Sequence, residues 1–251
     1  MKNYKVSIII PYYKKKLFIK ETIKSVLKQS YKNFEIIIVD DENSDESNDL
    51  LKEILKLDKK IRLITNEINI GAGLSRNKAL GIAEGDFIAF CDSDDLWKST
   101  KLQIQVNYMV ENDIEFSFTS YEIINEVGKL LNYRFAKNLL NFADLLNSCD
   151  IGLSTVLIKK NLFNDIDLRF AELKTKEDYV LWLKIAKKEI NIIGIDKVLT
   201  SWRKTRNSLS SSTFQKLVDG FRVYKFYMKF NSFKSLVCLL KLSFNYLSKK
   251  V

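Results

Sequence analysis

The chain has 251 residues, with 41 Lys plus Arg against 31 Asp plus Glu, a formal net charge of +10, and no histidine. Without imidazole, Ser-His-Asp and Cys-His machinery, HExxH zinc sites and histidine proton shuttles are excluded, and acid–base work falls to carboxylates, Lys, Tyr or Cys. Three scattered cysteines (Cys91, Cys149, Cys238) with no CxxC exclude zinc-ribbon and thioredoxin chemistry and fit a reducing compartment.

Residues 4–10 read as a buried strand closed by Pro11, and 17–29 as a helix. A second apolar, β-branched run over 34–39 ends in Asp40-Asp41, followed by a helix over 47–57 and a short strand over 61–65. Gly71 and Gly73 mark a loop before a helix over 74–83, and the apolar strand 87–90 runs into Asp92-Ser93-Asp94-Asp95. A helix is expected over 97–110. Continuous Val/Ile strands alternating with helices predict a parallel sheet covered on both faces, whose ligands bind at the strands' carboxyl ends. Three of those ends carry chemistry: Pro11-Tyr12-Tyr13, Asp40-Asp41 and the aspartate cluster.

Beyond residue 113 the pattern is less regular. Strands are expected over 114–120, 155–159, 192–195 and 198–202, and an amphipathic helix over 177–188. Two closing helices, 213–230 and 233–247, are separated by Asn231-Ser232. No apolar run reaches the ~18 residues of a membrane helix. Residues 6–10 are too short for a signal-peptide core, so the expectation is a chain neither secreted by that route nor membrane-spanning.

Carboxylates at a strand end suit Mg²⁺ or Mn²⁺ with phosphate oxygens and water, although Asp and Ser also cap turns and helices. Asp40-Asp41 can accept from a base or ribose, or simply shape a turn. Tyr12 and Tyr13 offer aromatic faces to a nucleobase, or half-buried rings at a sheet rim. Arg76 follows a glycine pair and can meet phosphate, yet GxGxxG and the P-loop pattern are both absent. Glu177-Asp178 opens a helix, where acids complement the dipole; Asp178 can also serve as a general base.

Taken in order, these residues resemble the family-2 glycosyltransferases of the GT-A fold. The similar segments are Val6 to Tyr13, Ile37 to Asp41, Asn69 to Asn77 with Gly81 and Gly85, Asp92 to Asp95, Lys176-Glu177-Asp178 with Trp182, and Trp202-Arg203 with Ser208-Leu209-Ser210. The resemblance covers roughly residues 4 to 212. It implies a Rossmann-like, mostly parallel sheet flanked by helices over 1–212, with a basic, aromatic helical appendix over 213–251.

The resemblance further implies donor-binding roles for Pro11, Tyr12, Tyr13, Asp40, Asp41, Arg76, Asp92, Ser93 and Arg203. It makes Asp94 and Asp92 metal ligands for Mg²⁺ or Mn²⁺, and gives Asp178, with Glu177, the catalytic place for inverting transfer. The implied enzyme is a hexosyl- or N-acetylhexosaminyl-transferase of cell-surface polysaccharide synthesis. It would move sugar from a nucleotide-sugar donor, a UDP-sugar first, to a glycan or polyprenyl-linked acceptor. Three positions depart from the family's habit. Lys14 stands where Asn is common, Glu42-Asn43 where Gly-Ser is common, and Trp202-Arg203-Lys204-Thr205 where the closing segment often has histidine. Arg203, Lys204 or Arg206 can substitute electrostatically.

From Phe214 onward eight Lys/Arg face the single Asp219, among nine aromatic residues. Phe233, Leu236, Val237, Leu240, Phe244 and Leu247 form one helical stripe. It can meet an anionic membrane surface through residues 214–251, placing the protein in the cytoplasm or on the membrane's inner face, or it can pack on the catalytic part. No RNP, KH or zinc-finger pattern supports nucleic acid as a partner. A non-catalytic sugar-nucleotide or glycan-binding module is the rival reading. A sugar nucleotidyltransferase is another, although Pro-Tyr-Tyr stands where its phosphate loop belongs and only then does Lys14-Lys15-Lys16 follow.

Overall fold

A computed structural model describes residues 3–205 and 212–248. The first half is built as its hydrophobic pattern requires. Strands β1 (Val6–Tyr12), β2 (Phe34–Asp40), β3 (Ile61–Thr65) and β4 (Phe87–Phe90) pair in parallel in the order β3-β2-β1-β4. Alternate residues of β1 enter opposite cores: Ile9 packs with Ile37, Val39, Ile88 and Phe90 on one face, and Val6, Ile8 and Ile10 with Ile36 and Ile38 on the other. β1, β2 and β4 are buried on both faces, while the edge strand β3 is only half-buried.

Pro11 lies inside β1 rather than ending it, in register with Val39. The β4 ladder stops at Ile9–Phe90, with Cys91 N–H donating to the Ile9 oxygen, while Asp41 N–H bonds the Tyr12 oxygen on the other side. By this alternation the proline nitrogen points to the side β4 has left, where a missing donor costs nothing.

The helices α1 (Ile19–Leu27), α2 (Asp45–Leu55) and α3 (Ala72–Ile82) connect these strands. Ser44 opens α2 through a reciprocal cap, its Oγ accepting from Ser47 N–H at 3.1 Å while Ser47 Oγ accepts from Ser44 N–H at 3.0 Å. Gly71 precedes α3 at φ +86, a backbone that favours glycine.

The second half departs from the expected pattern. Trp97 belongs to a two-residue strand β5 (Leu96–Trp97), and α4 (Lys101–Glu111) starts four residues later than expected. The reason is tertiary: Trp97 pairs with Thr200, and its indole N–H donates to the Ser154 oxygen at 2.9 Å. Strand β6 (Phe116–Ile124) is longer than expected and is followed by β7 (Leu130–Arg134), β8 (Leu139–Leu140) and α5 (Phe142–Asn147), none of which the pattern announced. A 3₁₀ turn over Leu153–Thr155 leads into β9 (Leu157–Lys159). Helix α6 (Glu177–Lys187) follows, and the two expected strands beyond it are one, β10 (Ile192–Arg203), irregular between Ile195 and Thr200. Among the described residues the sheet runs β3-β2-β1-β4-β9-β6-β10-β5, with β7 on β6 and β8 on β10. Its parallel half is as expected, while β9, β5, β7 and β8 add antiparallel pairs.

The C-terminal part begins with α7 (Thr213–Arg222), which opens into a π-helical turn over Val223–Tyr227. The wider turn lets consecutive Val223 and Tyr224 both enter the core, and the Tyr224 and Tyr179 hydroxyls meet at 2.9 Å. Helix α8 (Ser232–Ser248) is capped by Asn231, whose side-chain oxygen accepts from Lys234 N–H at 2.8 Å. It packs through Ser235, Cys238 and Leu242, leaving Phe233, Leu236, Leu240, Phe244 and Leu247 exposed. No helix among the described residues is long and apolar enough to cross a membrane.

Candidate active site

The ends of β1, β2 and β4 converge on one crevice. Tyr12 is buried and Tyr13 is 37% exposed, with the Lys14 ammonium 5.1 Å from its ring centroid. The turn at Lys14 is left-handed, φ +51, and its N–H donates to Glu42 Oε2 at 2.8 Å. Asparagine adopts that backbone with less strain than lysine, a physical reason for the family's habit at this position. In the next turn Asn43 takes φ +49, so the left-handed residue there is an asparagine.

Asp40 and Asp41 are buried in the crevice floor. Asp40 Oδ1 accepts from the N–H groups of Glu42 and Asn43, at 3.0 and 3.2 Å, and Oδ2 from Ser47 Oγ at 2.9 Å. Asp41 accepts from the N–H groups of Ile70 and Gly71 and from Asn66 Nδ2, each at 2.8 Å. One aspartate therefore shapes the turn into α2, and the other fastens β2 to the loop before α3.

The aspartate cluster beyond β4 is divided among different partners. Asp92 Oδ1 accepts from Arg76 Nη2 at 2.7 Å, and its N–H donates to Ser154 Oγ. The Ser93 carbonyl is held by Thr22 Oγ1 at 3.1 Å. Asp94 Oδ2 lies 2.6 Å from Lys15 Nζ, and its carbonyl accepts from Arg203 Nε at 2.9 Å. Asp95 accepts from Ser154 Oγ at 2.5 Å and from Arg203 N–H at 2.8 Å. Burial raises the Asp94 carboxyl against the pull of Lys15, and raises Asp95 well above the carboxylate range with help from Asp94. Arg203 is buried; besides these bonds it donates to the Glu126 carbonyl at 2.9 Å and to Glu21 Oε2 at 2.7 Å. Its guanidinium thus braces the cluster from behind.

Divalent cations suit one or two hard carboxylates completed by phosphate oxygens and water. Asp94 fits this role: among the described residues its Oδ2 is the carboxylate atom of the cluster that faces a lysine ammonium, a stand-in for a cation. Asp95 is committed to Ser154 and Arg203, and no cage of three or more acidic or thiol ligands forms among the described residues. The cluster would hold a cation through Asp94, beside Asp92, with the rest of the shell coming from a bound diphosphate and water.

Arg76 joins this side of the crevice to the other. Its side chain is buried, Nη2 on Asp92 and Nη1 2.8 Å from Glu177 Oε1, over the Phe170 ring, and its Nε has no partner among the described residues. Glu177 and Asp178 form the first turn of α6, entered through Lys176 at φ +65. Asp178 Oδ1 accepts from Tyr179 N–H at 2.7 Å. Burial, reinforced by the Glu177 charge and opposed by Arg76, pushes the Asp178 carboxyl up to about 7. Asp178 thus titrates near neutrality, as a general base requires. Trp182 is core, edge-on to Phe116 at 5.1 Å.

These bonds tie Asp92, Arg76 and Glu177 into one group with Asp178 beside it, join Asp94 and Asp95 to Arg203, and leave Tyr12, Tyr13, Asp40 and Asp41 at the neighbouring ends of β1 and β2. Arg206 and Ser208-Leu209-Ser210 lie outside the described residues. Ser154, Glu21 and Lys15 complete the network and carried no motif of their own; only Lys15 was visible, within a basic run after β1.

The sequence pattern described as Glycosyl transferase family 2 matches residues 7–166. The chain is 41% identical over 221 residues to the Escherichia coli UDP-Glc:alpha-D-GlcNAc-diphosphoundecaprenol beta-1,3-glucosyltransferase WfgD, covering 86% of this chain and 84% of that protein. It is 34% identical over 254 residues, the full length of both, to TuaG of Bacillus subtilis (strain 168), provisionally named a teichuronic acid biosynthesis glycosyltransferase. Among solved structures, S. aureus TarS 1-349 in complex with UDP-GlcNAc matches with a TM-score of 0.75 at 23% identity, over 94% of this chain and 70% of that one. That likeness shows a shared fold.

Proposed function

The chain belongs to glycosyl transferase family 2, an enzyme of the GT-A fold that uses a nucleotide-sugar donor, and we propose that it transfers hexose or N-acetylhexosamine from a UDP-sugar to a polyprenyl-diphosphate-linked glycan. WfgD, a relative of similar length, is named for this donor and acceptor class. The observation that carries the reading is the Arg76 bridge. One guanidinium holds Asp92 of the donor side and Glu177 beside the base Asp178, so both halves of a single displacement share one buried cation.

In this reading Asp178 takes the proton of the acceptor hydroxyl as its oxygen bonds the anomeric carbon. The bond from that carbon to the diphosphate breaks, and its electron pair leaves on the phosphate oxygen. Attack from the face opposite the leaving group inverts the anomeric centre. Asp94, beside Asp92, would hold a divalent cation, which would supply positive charge against the departing diphosphate. Tyr13, the exposed ring of the pair, stacks on the base, while Tyr12, Asp40 and Asp41 fix the floor beneath it.

Residues 1–212 constitute the catalytic part and 213–251 a basic appendix, which bears the exposed face of α8 against the inner leaflet. Replacing Asp178 by Asn tests the assignment. Transfer should fall about 10²–10⁴-fold, the usual range for general base catalysis, with UDP affinity unchanged. A variant that transfers at the wild-type rate would sink it, and a wild-type protein that binds UDP-sugar but never transfers would favour the binding module.

A further inference from the structure

Lys15 is the residue for which the reaction above has no use. It lies in the segment after β1, half-buried, its ammonium 2.6 Å from Asp94 Oδ2 and 2.8 Å from Thr205 Oγ1. It thereby ties three segments of the crevice together: the turn after β1, the aspartate cluster after β4 and the end of β10. In the proposed reading Asp94 ligates the cation, and Lys15 stands on its Oδ2. An ammonium at that distance and a divalent ion bound at about 2.1 Å cannot share one carboxylate oxygen without strong like-charge repulsion. A cation that takes Oδ2 therefore displaces the lysine from Asp94. Its four-carbon stem is flexible, its ammonium is a compact charge, and its natural new partner is the anion that arrives with the cation.

We propose that Lys15 is an exchangeable counterion: it neutralises Asp94 in the free enzyme and passes to the donor diphosphate when the divalent cation takes its place. This rests on the reading of Asp94 as the cation ligand. In the free protein the lysine keeps a buried carboxylate paired, which a site awaiting a cation otherwise has to leave uncompensated. In the loaded protein it adds a second positive charge to the diphosphate. Metal binding and nucleotide binding become coupled, because neither partner alone repays the exchange.

The coupling gives Lys15→Met a signature of two opposite signs. Mn²⁺ binding without nucleotide, followed by the loss of the free-ion electron paramagnetic resonance signal, should tighten about tenfold. UDP binding at saturating Mn²⁺, followed by calorimetry, should weaken about tenfold. Lys15→Arg should keep most of the UDP affinity. Lys15→Gln serves as a second neutral variant, and circular dichroism checks that each is folded. A Lys15→Met protein that loses both affinities, or changes neither, overturns the proposal and leaves the Asp94 assignment standing, provided Asp94→Asn abolishes Mn²⁺ binding. Mn²⁺ binding that survives Asp94→Asn overturns the Asp94 assignment and the Lys15 exchange together.

Discussion

Asp178 carries two opposing influences, and they set a pH dependence with a definite sign. Burial and the neighbouring Glu177 charge lift its carboxyl from 3.8 to about 7, while Arg76 pulls it down and Asp92 adds a smaller upward push. The exposed Cys149 thiol lies within reach of the same field. With Asp178 as the proposed base, only its deprotonated form is active, so kcat/KM should rise with pH through a limb near 7. Glu177→Gln removes the like charge and should move that limb down, which a pH–rate profile reads; a limb that moves up refutes the account of the shift. The folded state also holds the Asp178 proton over a range where the unfolded chain has released it. Wild-type stability should therefore decline relative to Asp178→Asn as pH rises from about 4 to about 7. Individual roles were only partly legible in the sequence. Asp40 and Asp41 were visible as acids at a strand end, but their bonds to Ser47 and to the N–H groups of Ile70 and Gly71 depend on turns that no spacing reveals.

At the level of elements, legibility follows burial. β1, β2 and β4 are buried along their whole length and read as apolar runs, while β3, at the sheet edge, is half-buried yet short and flanked clearly enough that β3 and β4 both fall where the pattern places them. β7 exposes Leu130, Leu131 and Tyr133, and β8 is only two residues long, so neither shows a periodicity to read. The contact between α3 and α6 was equally hidden: Gly73, expected in the loop before the helix, lies in the first turn of α3 and makes the contact. A Cβ at Gly73 would lie 2.9 Å from the Ala171 carbonyl oxygen and 3.1 Å from Glu177 Cγ. The glycine lets α3 approach the loop before α6, and Arg76, one turn further along α3, then reaches Glu177. Gly73→Ala should push this approach apart and weaken the bridge between Arg76 and Glu177. The expected result is a drop in kcat of about tenfold or more, since small misplacements of a catalytic group are costly, with UDP affinity little changed. Wild-type kcat in this variant would show that the close approach does not position the base.

For the whole molecule, the question is why α8 has two apolar faces. One, through Cys238 and Leu242, joins the same core as Trp182 and Tyr224 and is accounted for by packing. The other carries Phe233 at 78%, Leu240 at 61% and Phe244 at 72% exposure, a cost in water that needs a compensating surface. The packed face also fixes where the exposed one points. Asn245 Nδ2 donates to the Asn147 oxygen at 2.7 Å, which clamps α8 to the end of α5, and two residues further on stands Cys149, within the field of Asp178. Lys234 and Lys241 are exposed on the same helix, and the region after Phe214 holds most of the chain's excess positive charge. An amphipathic basic helix binds anionic bilayers by burying its apolar face while lysines meet the headgroups. The protein should therefore sediment with phosphatidylglycerol vesicles and only weakly with phosphatidylcholine. Replacing Phe233, Leu240 and Phe244 together by Ser should release it, with UDP binding and melting temperature unchanged because none of the three is buried. Transfer to a water-soluble acceptor should survive in that variant, and transfer to a vesicle-embedded polyprenyl-linked acceptor should fall. Equal sedimentation of the triple variant and the wild type would mean that the exposed stripe is not the contact surface.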